Sequence, residues 1–397
     1  MVTRMHDRSV LVDTAQRLLA LHEAGTTTLE PDVYRNPVSV YVDPNRFDRE
    51  RDVLFRRTPL ALALSCELTE PGAYRTLSVV GSPVVVVRGD DGAARAFLNV
   101  CRHRGGRVVA DRGCSRRLTC DYHNWSYDTA GRLVGVPGAA GFERVDRETA
   151  GLVELSTAER HGIIWGQIDP SAPLDLDAHL GPLDAELAEL GLEDLTHVGT
   201  RDLPADCNWH VAMDTHTESY HFAALHRNSI APFTMHDLNV VDRFGPHQRL
   251  GFGASSLPTL AGIAPDDWDV AAHVQFVYLL FPNCSLLVTG DHVELFQILP
   301  GASVATSMTH QSYFNRAPLD SDEVVSMTSF LFDMFHAVVR DEDYPCAEGI
   351  QVGLASGANS HLVFGRNEPA FHHLHRSYDD ALAHVPAIDD GSDEMPI

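Results

Sequence analysis

The sequence predicts an α+β protein of two units, a small antiparallel β unit and a larger one in which helices pack on an antiparallel sheet. Three observations carry this expectation. From about residue 50 to 165, short β-branched runs alternate with turn signals. After about 166, helical periodicity mixes with long strand-like runs. And 397 residues are more than one ordinary core holds, so two units, interleaved or in series, are expected.

The first element is an amphipathic helix over about 8–24, with Val10, Leu11, Ala15, Leu18, Leu19 and Leu21 close to helical period. The run LSVVGSPVVVVRGDDGAARAFLNV then holds two strands joined at Asp91-Gly92, a favoured hairpin turn. Asp128-Thr-Ala-Gly131 marks another turn. Beyond 166, the polar stretch LDAELAELGLEDL leads into a long helix expected from Trp209 to His226. Strands follow at HVQFVYLLFP, CSLLVTG and HVELFQIL, then helices over about 321–339 and 346–356 and one near the C-terminus. The tail DDGSDEMPI is polar and is expected to fray. There is no internal repeat and no low-complexity linker.

Composition excludes several classes. No segment approaches about 18 consecutive apolar residues, so no membrane-spanning helix is expected. The N-terminal stretch is broken by Asp7, Asp13 and Gln16 and lacks the apolar core of a secretory signal, which points to the cytoplasm. The formal net charge is −25, and such a chain offers no net positive field to nucleic acid or anionic membranes. The excess acid serves solubility, with a local patch for a redox partner as the sharper reading. Seven cysteines, Cys66, Cys101, Cys114, Cys120, Cys207, Cys284 and Cys346, are odd in number and sparse, which suits reduced thiols or metal ligands better than a disulfide framework. The 22 histidines make metal chemistry worth a search.

Two constellations emerge from that search. The β unit contains Cys101-Arg102-His103 and, with sixteen residues between His103 and Cys120, Cys120-Asp121-Tyr122-His123. Each half supplies one thiolate and one imidazole just after a strand. Such a set can hold tetrahedral zinc. It can also hold a two-iron cluster in which two Cys bind one iron and two His the other. Zinc fingers usually pair Cys with Cys and His with His along the chain, whereas here each loop mixes them. With their flanks, NVCRHRGGRV and CDYHNWSYDTAGRL, these segments resemble the two cluster-binding loops of Rieske proteins. Asp121 and Asn124 stand where that family most often has Pro and Gly. The bracing cysteines of cytochrome-complex Rieske proteins are missing, so the resemblance is to the oxygenase branch, and Cys114 reads as an ordinary thiol. Histidine ligation sets such clusters at roughly −150 to +300 mV, which suits passing on an electron received from a reductase.

The second constellation lies between Asn208 and His226. On an ideal helix Asp214, Glu218 and His221 share one face, while His226 sits about 140° from His221, so a local unwinding or π-turn is needed to aim both rings at one ion. The pattern resembles the iron motif of Rieske non-heme iron oxygenases, the ring-hydroxylating oxygenase alpha subunits. That resemblance implies that His221 and His226 are two ligands of a 2-His-1-carboxylate triad holding mononuclear Fe(II), whose open positions take O₂. The stretch Arg340-Asp341-Glu342-Asp343, followed by Gln351-Val-Gly-Leu354, resembles the family's acidic pair and following helix, and by it Asp343 is the third ligand, with Asp341 its rival. The bland alternative is that these acids cap a helix ahead of Pro345. In the family, the position of Glu218 holds an acid that links a cluster histidine of one subunit to an iron histidine of its neighbour, here His123 to His221. Glu in place of Asp there is a weak hint of a quaternary-amine substrate. Asp214 stands where the family often has Asn near the iron. His210, His216, His236 and the Phe371–Arg376 histidines read as structural.

The resemblance covers about 40–376. It implies a Rieske domain (48–165) inserted in a catalytic domain (166–397) on which an N-terminal helical segment (1–47) packs, and head-to-tail homotrimers. It implies an O₂-dependent mono- or dihydroxylation of an aromatic or other small organic substrate. A quaternary-amine (betaine-like) monooxygenase or N-demethylase, and an electron carrier without catalytic iron, stay open. No G-x-G-x-x-G follows a strand and no P-loop is present, so electrons must come from a separate NAD(P)H-dependent reductase, directly or through a ferredoxin.

Overall fold

The computed structural model describes residues 5–384, so the tail DDGSDEMPI lies outside the described residues. Helix Arg8–Glu23 begins where Asp7 accepts the Ser9 N–H (2.7 Å), a side-chain cap for an end that otherwise leaves donors unpaired. It buries Leu11, Ala15, Leu18 and Leu19. Its approach to the sheet is close: a Cβ at Gly251 would stand 2.6 Å from Thr14 Cγ2, so only glycine fits.

The larger unit is a seven-stranded antiparallel sheet. In spatial order its strands are Thr196–Ala205, Ser307–Asn315, His292–Pro300, Cys284–Val288, Val274–Leu280, His247–Ala254 and Thr234–Phe244. Six run as a meander of consecutive neighbours, and the first strand closes the far edge against the last. Helices Asp322–Val338, Tyr344–Ala355 and Pro369–His384 accompany it.

The small unit has a five-stranded antiparallel sheet and two three-stranded ones. Its own core gathers Val85, Val87, Phe97, Leu118, Trp125, Tyr127 and Leu133. The turn at Asp91-Gly92 joins strands Ser82–Arg88 and Ala94–Leu98, with Gly92 at φ +83°. The same run holds a third strand, Ala73–Val79, turned at Val80-Gly81 with both residues at positive φ. Val80 (φ +44°) carries no turn signature, because a β-branched residue rarely enters that region.

The ends of the chain meet. Strand Tyr34–Pro37 pairs with His361–Phe364, and helix Pro44–Arg56 packs on Pro369–His384. That helix straddles the boundary expected at 47/48. It also carries Glu50, fully buried, whose carboxylate takes the Trp209 indole N–H (3.0 Å), the His210 ring (2.9 Å) and Arg46 (2.7 Å). A buried carboxylate is tolerated when its oxygens are satisfied in this way. The two units are joined by a polar seam. Arg75 of the small unit pairs with Glu67 (2.9 Å) and donates to Gln297 Oε1 (3.1 Å), and Gln297 Nε2 donates back to Ala61 O (2.6 Å).

The helix expected from Trp209 to His226 is broken. It runs only from Trp209 to Asp214, and a single 3₁₀ turn follows at Tyr220–Ala223. Between them Thr215 and Thr217 hydroxyls bond Ala212 O (2.9 Å) and Met213 O (3.0 Å), and the Glu218 carboxylate takes the N–H groups of Tyr220 and His221. Side chains that offer the backbone local partners in this way compete with the helix. By contrast, the two helices expected at 321–339 and 346–356 are continuous, joined through a π-helical turn, Val339–Asp343. Pro345 lacks an N–H, and its ring crowds the carbonyl four residues back, which favours the wider turn.

Gln351 ties these two segments together: its Oε1 accepts the Asn208 N–H (2.9 Å) at the start of the broken helix. Gln351→Leu leaves that buried N–H without a partner. The expected cost is about 1–3 kcal/mol, read as a lower urea midpoint with an unchanged slope. An unshifted midpoint would show that the bond does not brace the segment.

Candidate metal centres and their cavity

The two cysteine–histidine loops have one backbone design. In the first, Cys101 N–H donates to Gly106 O (2.8 Å) and Gly105 N–H to Cys101 O (2.9 Å). In the second, Cys120 N–H donates to Trp125 O (2.9 Å) and Asn124 N–H to Cys120 O (2.8 Å). The fourth residue after each cysteine is left-handed, Gly105 at φ +73° and Asn124 at φ +57°. Asn is the non-glycine residue best suited to that region, which accounts for Asn where Gly is commoner. Both cysteines are buried. The Tyr127 hydroxyl lies 3.4 Å from Cys101 Sγ and accepts the Arg102 N–H (2.9 Å). Burial raises the Cys120 thiol above its ordinary value, and neighbouring Cys101 adds to the shift.

His103 stacks on Trp125 (4.9 Å, 10°) and meets His123 edge-on (4.6 Å). Its Nδ1 is buried without a hydrogen-bond partner, as a ligand atom would be. Among the described residues, no three ligand atoms of these four side chains lie within 4.8 Å of one another. One tetrahedral zinc would draw all four closer than that. Thiols in one pair and imidazoles in another suit a two-iron cluster with Cys on one iron and His on the other.

One group does converge. His221, His226 and Asp343 bring ligand atoms within 4.8 Å of one another. The two Nε2 atoms are 3.2 Å apart, and Asp343 Oδ1 is 3.0 Å from one and 3.6 Å from the other. Ligands bound at about 2.1 Å and at right angles would stand roughly 3 Å apart. Tautomers sharpen the point. His221 Nδ1 faces Glu218, and His226 Nδ1 faces Glu342 Oε2 (2.6 Å). Each carboxylate holds the ring proton on Nδ1, so both Nε2 atoms present lone pairs to each other and to a carboxylate oxygen with no donor of its own. Three acceptors then converge, an arrangement that positive charge at their centre stabilises. The field agrees: burial alone lowers His226, yet Asp343 and Glu342 raise it above its ordinary value.

Two family models match. Residues 58–146 fit the Rieske [2Fe-2S] domain, and 192–384 fit the ring hydroxylating alpha subunit catalytic domain; together they take in more than two thirds of the chain. The chain belongs to the Rieske non-heme iron oxygenases. It is 36% identical over 198 residues to the chlorobenzene dioxygenase alpha subunit of Cupriavidus sp. (strain PS12), a match covering 48% of this chain and only 43% of that one. It is 28% identical over 330 residues to the carnitine monooxygenase oxygenase subunit of Escherichia coli (strain K12), covering 81% and 84%. In fold it resembles the quaternary ammonium Rieske monooxygenase CntA solved with L-carnitine (TM-score 0.75, 22% identity, 90% and 97% of the two chains). It also resembles naphthalene 1,2-dioxygenase from Rhodococcus sp. (0.67, 19%, 94% and 99%).

The oxygenase's carboxylates divide into distinct settings. Asp343 is buried on the π-helical turn, whereas Asp341 is exposed and paired to Arg340 (2.6 Å), outside the convergent group. Glu342 escaped the sequence reading: flanked by two other acids, it looks like one residue of a solvated cap. In the structure its Oε2 also accepts the Ser229 hydroxyl (2.8 Å). Asp214 turns away from the triad to accept the Tyr41 hydroxyl (3.0 Å) and to meet the His375 ring (3.0 Å), so His375 holds a position on this acid from the C-terminal helix.

A cavity of about 440 Å³ opens beside the triad, its wall rich in Phe222, Phe252, Phe296, Phe335 and Leu287. Phe233 and Phe330 stand exposed at its rim. His216, read as structural, also lines it. Its ring lies 4.5 Å from Phe296, its Nε2 has no partner, and burial pushes its pKa down to about 4, so it is neutral. A smaller cavity of about 180 Å³ reaches His221, Glu218 and Asp214 from the other side.

Glu342→Ala frees the His226 Nδ1 proton from its partner. Iron affinity is expected to fall about 10–100-fold, measured by Fe(II) titration of the metal-stripped protein with the cluster intact. Wild-type affinity would deny Glu342 its part in orienting the ring.

Proposed function

We propose that Cys101, His103, Cys120 and His123 hold the [2Fe–2S] cluster, that His221, His226 and Asp343 hold a mononuclear Fe(II), and that the chain is the oxygenase component of a multicomponent system hydroxylating a small, largely apolar organic molecule. The observation that carries this is the convergence of three acceptor atoms, with no donor, beside an aromatic-walled cavity. When bound, the metals supply one-electron relay and O₂ activation.

The residues do the rest. Phe222, Phe252 and Phe296 hold the substrate skeleton and exclude water. Glu218 and Glu342 fix the ring protons of His221 and His226 away from the cavity. Glu218 has a second task in this reading. It borders the smaller cavity, where the His123 ring of a neighbouring copy in a head-to-tail trimer would complete a hydrogen-bonded route for the electron. Asp214 braces that wall through Tyr41 and His375. The electrons come from an NAD(P)H-dependent reductase, directly or through a ferredoxin, in the cytoplasm. None of the described helices is long and apolar enough to cross a membrane.

A second reading, monooxygenation or N-demethylation of a quaternary amine, draws on Glu218 in place of Asp and on the longer alignments. These run to carnitine monooxygenase and to the glycine betaine monooxygenase oxygenase subunit of Chromohalobacter salexigens. The electron-carrier reading loses ground, because a carrier has no use for the convergent triad.

The reconstituted protein is expected to hold about three irons and two acid-labile sulfides per chain. His221→Ala is expected to keep the cluster spectrum and both sulfides while losing one iron and all oxygenation. An oxygenating His221→Ala protein would displace the triad from the reaction. Glu218→Gln is expected to retain every metal yet turn over slowly, with cluster reduction by chemical reductant unaffected. Wild-type turnover would take Glu218 off the electron route.

A further inference from the structure

The cavity wall contains one carboxylate that neither the triad nor its supports use. Glu294, on strand His292–Pro300, is fully buried and borders the cavity. One of its oxygens accepts Gln311 Nε2 (2.5 Å); the other, Oε1, has no hydrogen-bond partner. Two residues earlier, the buried His292 ring points its Nε2 at that oxygen from 3.8 Å, and Nε2 has no partner either. The far side of the ring reaches solvent. His292 Nδ1 bonds Asp291 Oδ1 (2.8 Å) and Thr289 Oγ1 (3.0 Å) in the hairpin ahead of the strand, and the Asp291 side chain is 70% exposed.

From this geometry we infer that Asp291, His292 and Glu294 form a proton relay leading from solvent into the active-site cavity. The inference rests on the oxygenase reading, whose balance consumes two protons in the cavity. For hydroxylation, R–H, O₂, two electrons and two protons give R–OH and H₂O: the C–H and O–O bonds break, C–O and O–H bonds form, and the reductase supplies the electrons. For dihydroxylation the same two electrons and two protons accompany both oxygen atoms into the product. Electrons arrive by way of the cluster. The phenylalanine lining offers no group to carry the protons, whereas Glu294 leads back from the wall toward the surface through His292 and Asp291.

The parts suit the task. The 3.8 Å gap is longer than a hydrogen bond, but both facing atoms are unpartnered, so closing it gives a partner to two groups that lack one. The His292 ring is held for transfer: it stacks on Tyr313 (4.9 Å, 8°), and its Nδ1 partners keep it oriented. Burial raises the Glu294 carboxyl to about 7, so it both takes and releases a proton at neutral pH, while its bond to His292 keeps Asp291 ionised at the surface. The other groups facing Glu294 do not compete. Gln311 is itself held by His336 (2.9 Å), and burial raises the Tyr313 phenol far out of range.

The test reads the carboxyl itself in the full-length reconstituted protein, by the infrared protonated-carboxyl band. In the wild type a band titrating near neutral pH is expected, and Glu294→Gln removes it with iron and sulfide retained. His292→Phe, which preserves the stack on Tyr313, keeps the band but slows its exchange in D₂O about a hundredfold, in keeping with the loss of a positioned proton-transfer group. Asp291→Asn, at an exposed site that leaves the core intact, slows it less. A band that survives Glu294→Gln, or wild-type exchange in both His292→Phe and Asp291→Asn, overturns the relay. Failure of the oxygenase reading would appear instead in the metal count and leave this band untouched.

Discussion

Two imidazole lone pairs facing each other across 3.2 Å, with a carboxylate oxygen as the third corner, make up the arrangement on which the rest of this structure depends. Left alone it is repulsive, and it exists because everything around it enforces it. Glu218 and Glu342 pin the ring protons outward. The interrupted helix carries His221 and His226 to positions a regular helix would separate. The π-helical turn delivers Asp343 from another segment, and Gln351 locks those segments together. A metal ion repays this enforcement, and the local surplus of carboxylate favours a divalent cation.

Much of this was legible in the sequence, and what was not has physical reasons. The proposed cluster ligands were legible because two short loops fix both spacing and identity. His221 and His226 could be read by resemblance, but not the shape of their segment. Helical periodicity says nothing about Thr215, Thr217 and Glu218 bonding their own backbone and stopping the helix. A local unwinding or a π-turn was read from the angle between the histidines; the segment unwinds there, and a π-turn forms in the segment that carries Asp343. Glu342 stayed hidden between Asp341 and Asp343, since three adjacent acids give no sign of which faces inward. The turn at Val80-Gly81 puts a β-branched residue at a left-handed position that Gly or Asn usually takes. The cavity is assembled from strands and helices far apart in sequence, so Phe222, Phe252 and Phe335 could not be grouped without the fold.

The two metal-binding regions are built on opposite plans. The cysteine–histidine loops belong to a unit with its own small core, and their shape comes from backbone bonds repeated loop to loop, with the left-handed residue doing the same work in each. The convergent triad draws its side chains from distant segments and relies on carboxylates to orient its histidines. The first plan tolerates sequence change wherever the backbone can still turn, as Asn124 does. The second makes each supporting acid hard to replace.

The pairing of Tyr34–Pro37 with His361–Phe364 bears on how the protein is made. On the ribosome, the segment that begins the catalytic unit must wait for nearly the whole chain before it meets its partner, because loop closure over such a span precedes any gain from the contact. The β unit in between closes on neighbours already synthesised and can fold as soon as it emerges. The cysteine–histidine loops are therefore complete early in synthesis, while the group of His221, His226 and Asp343 can come together only after most of the chain has been made.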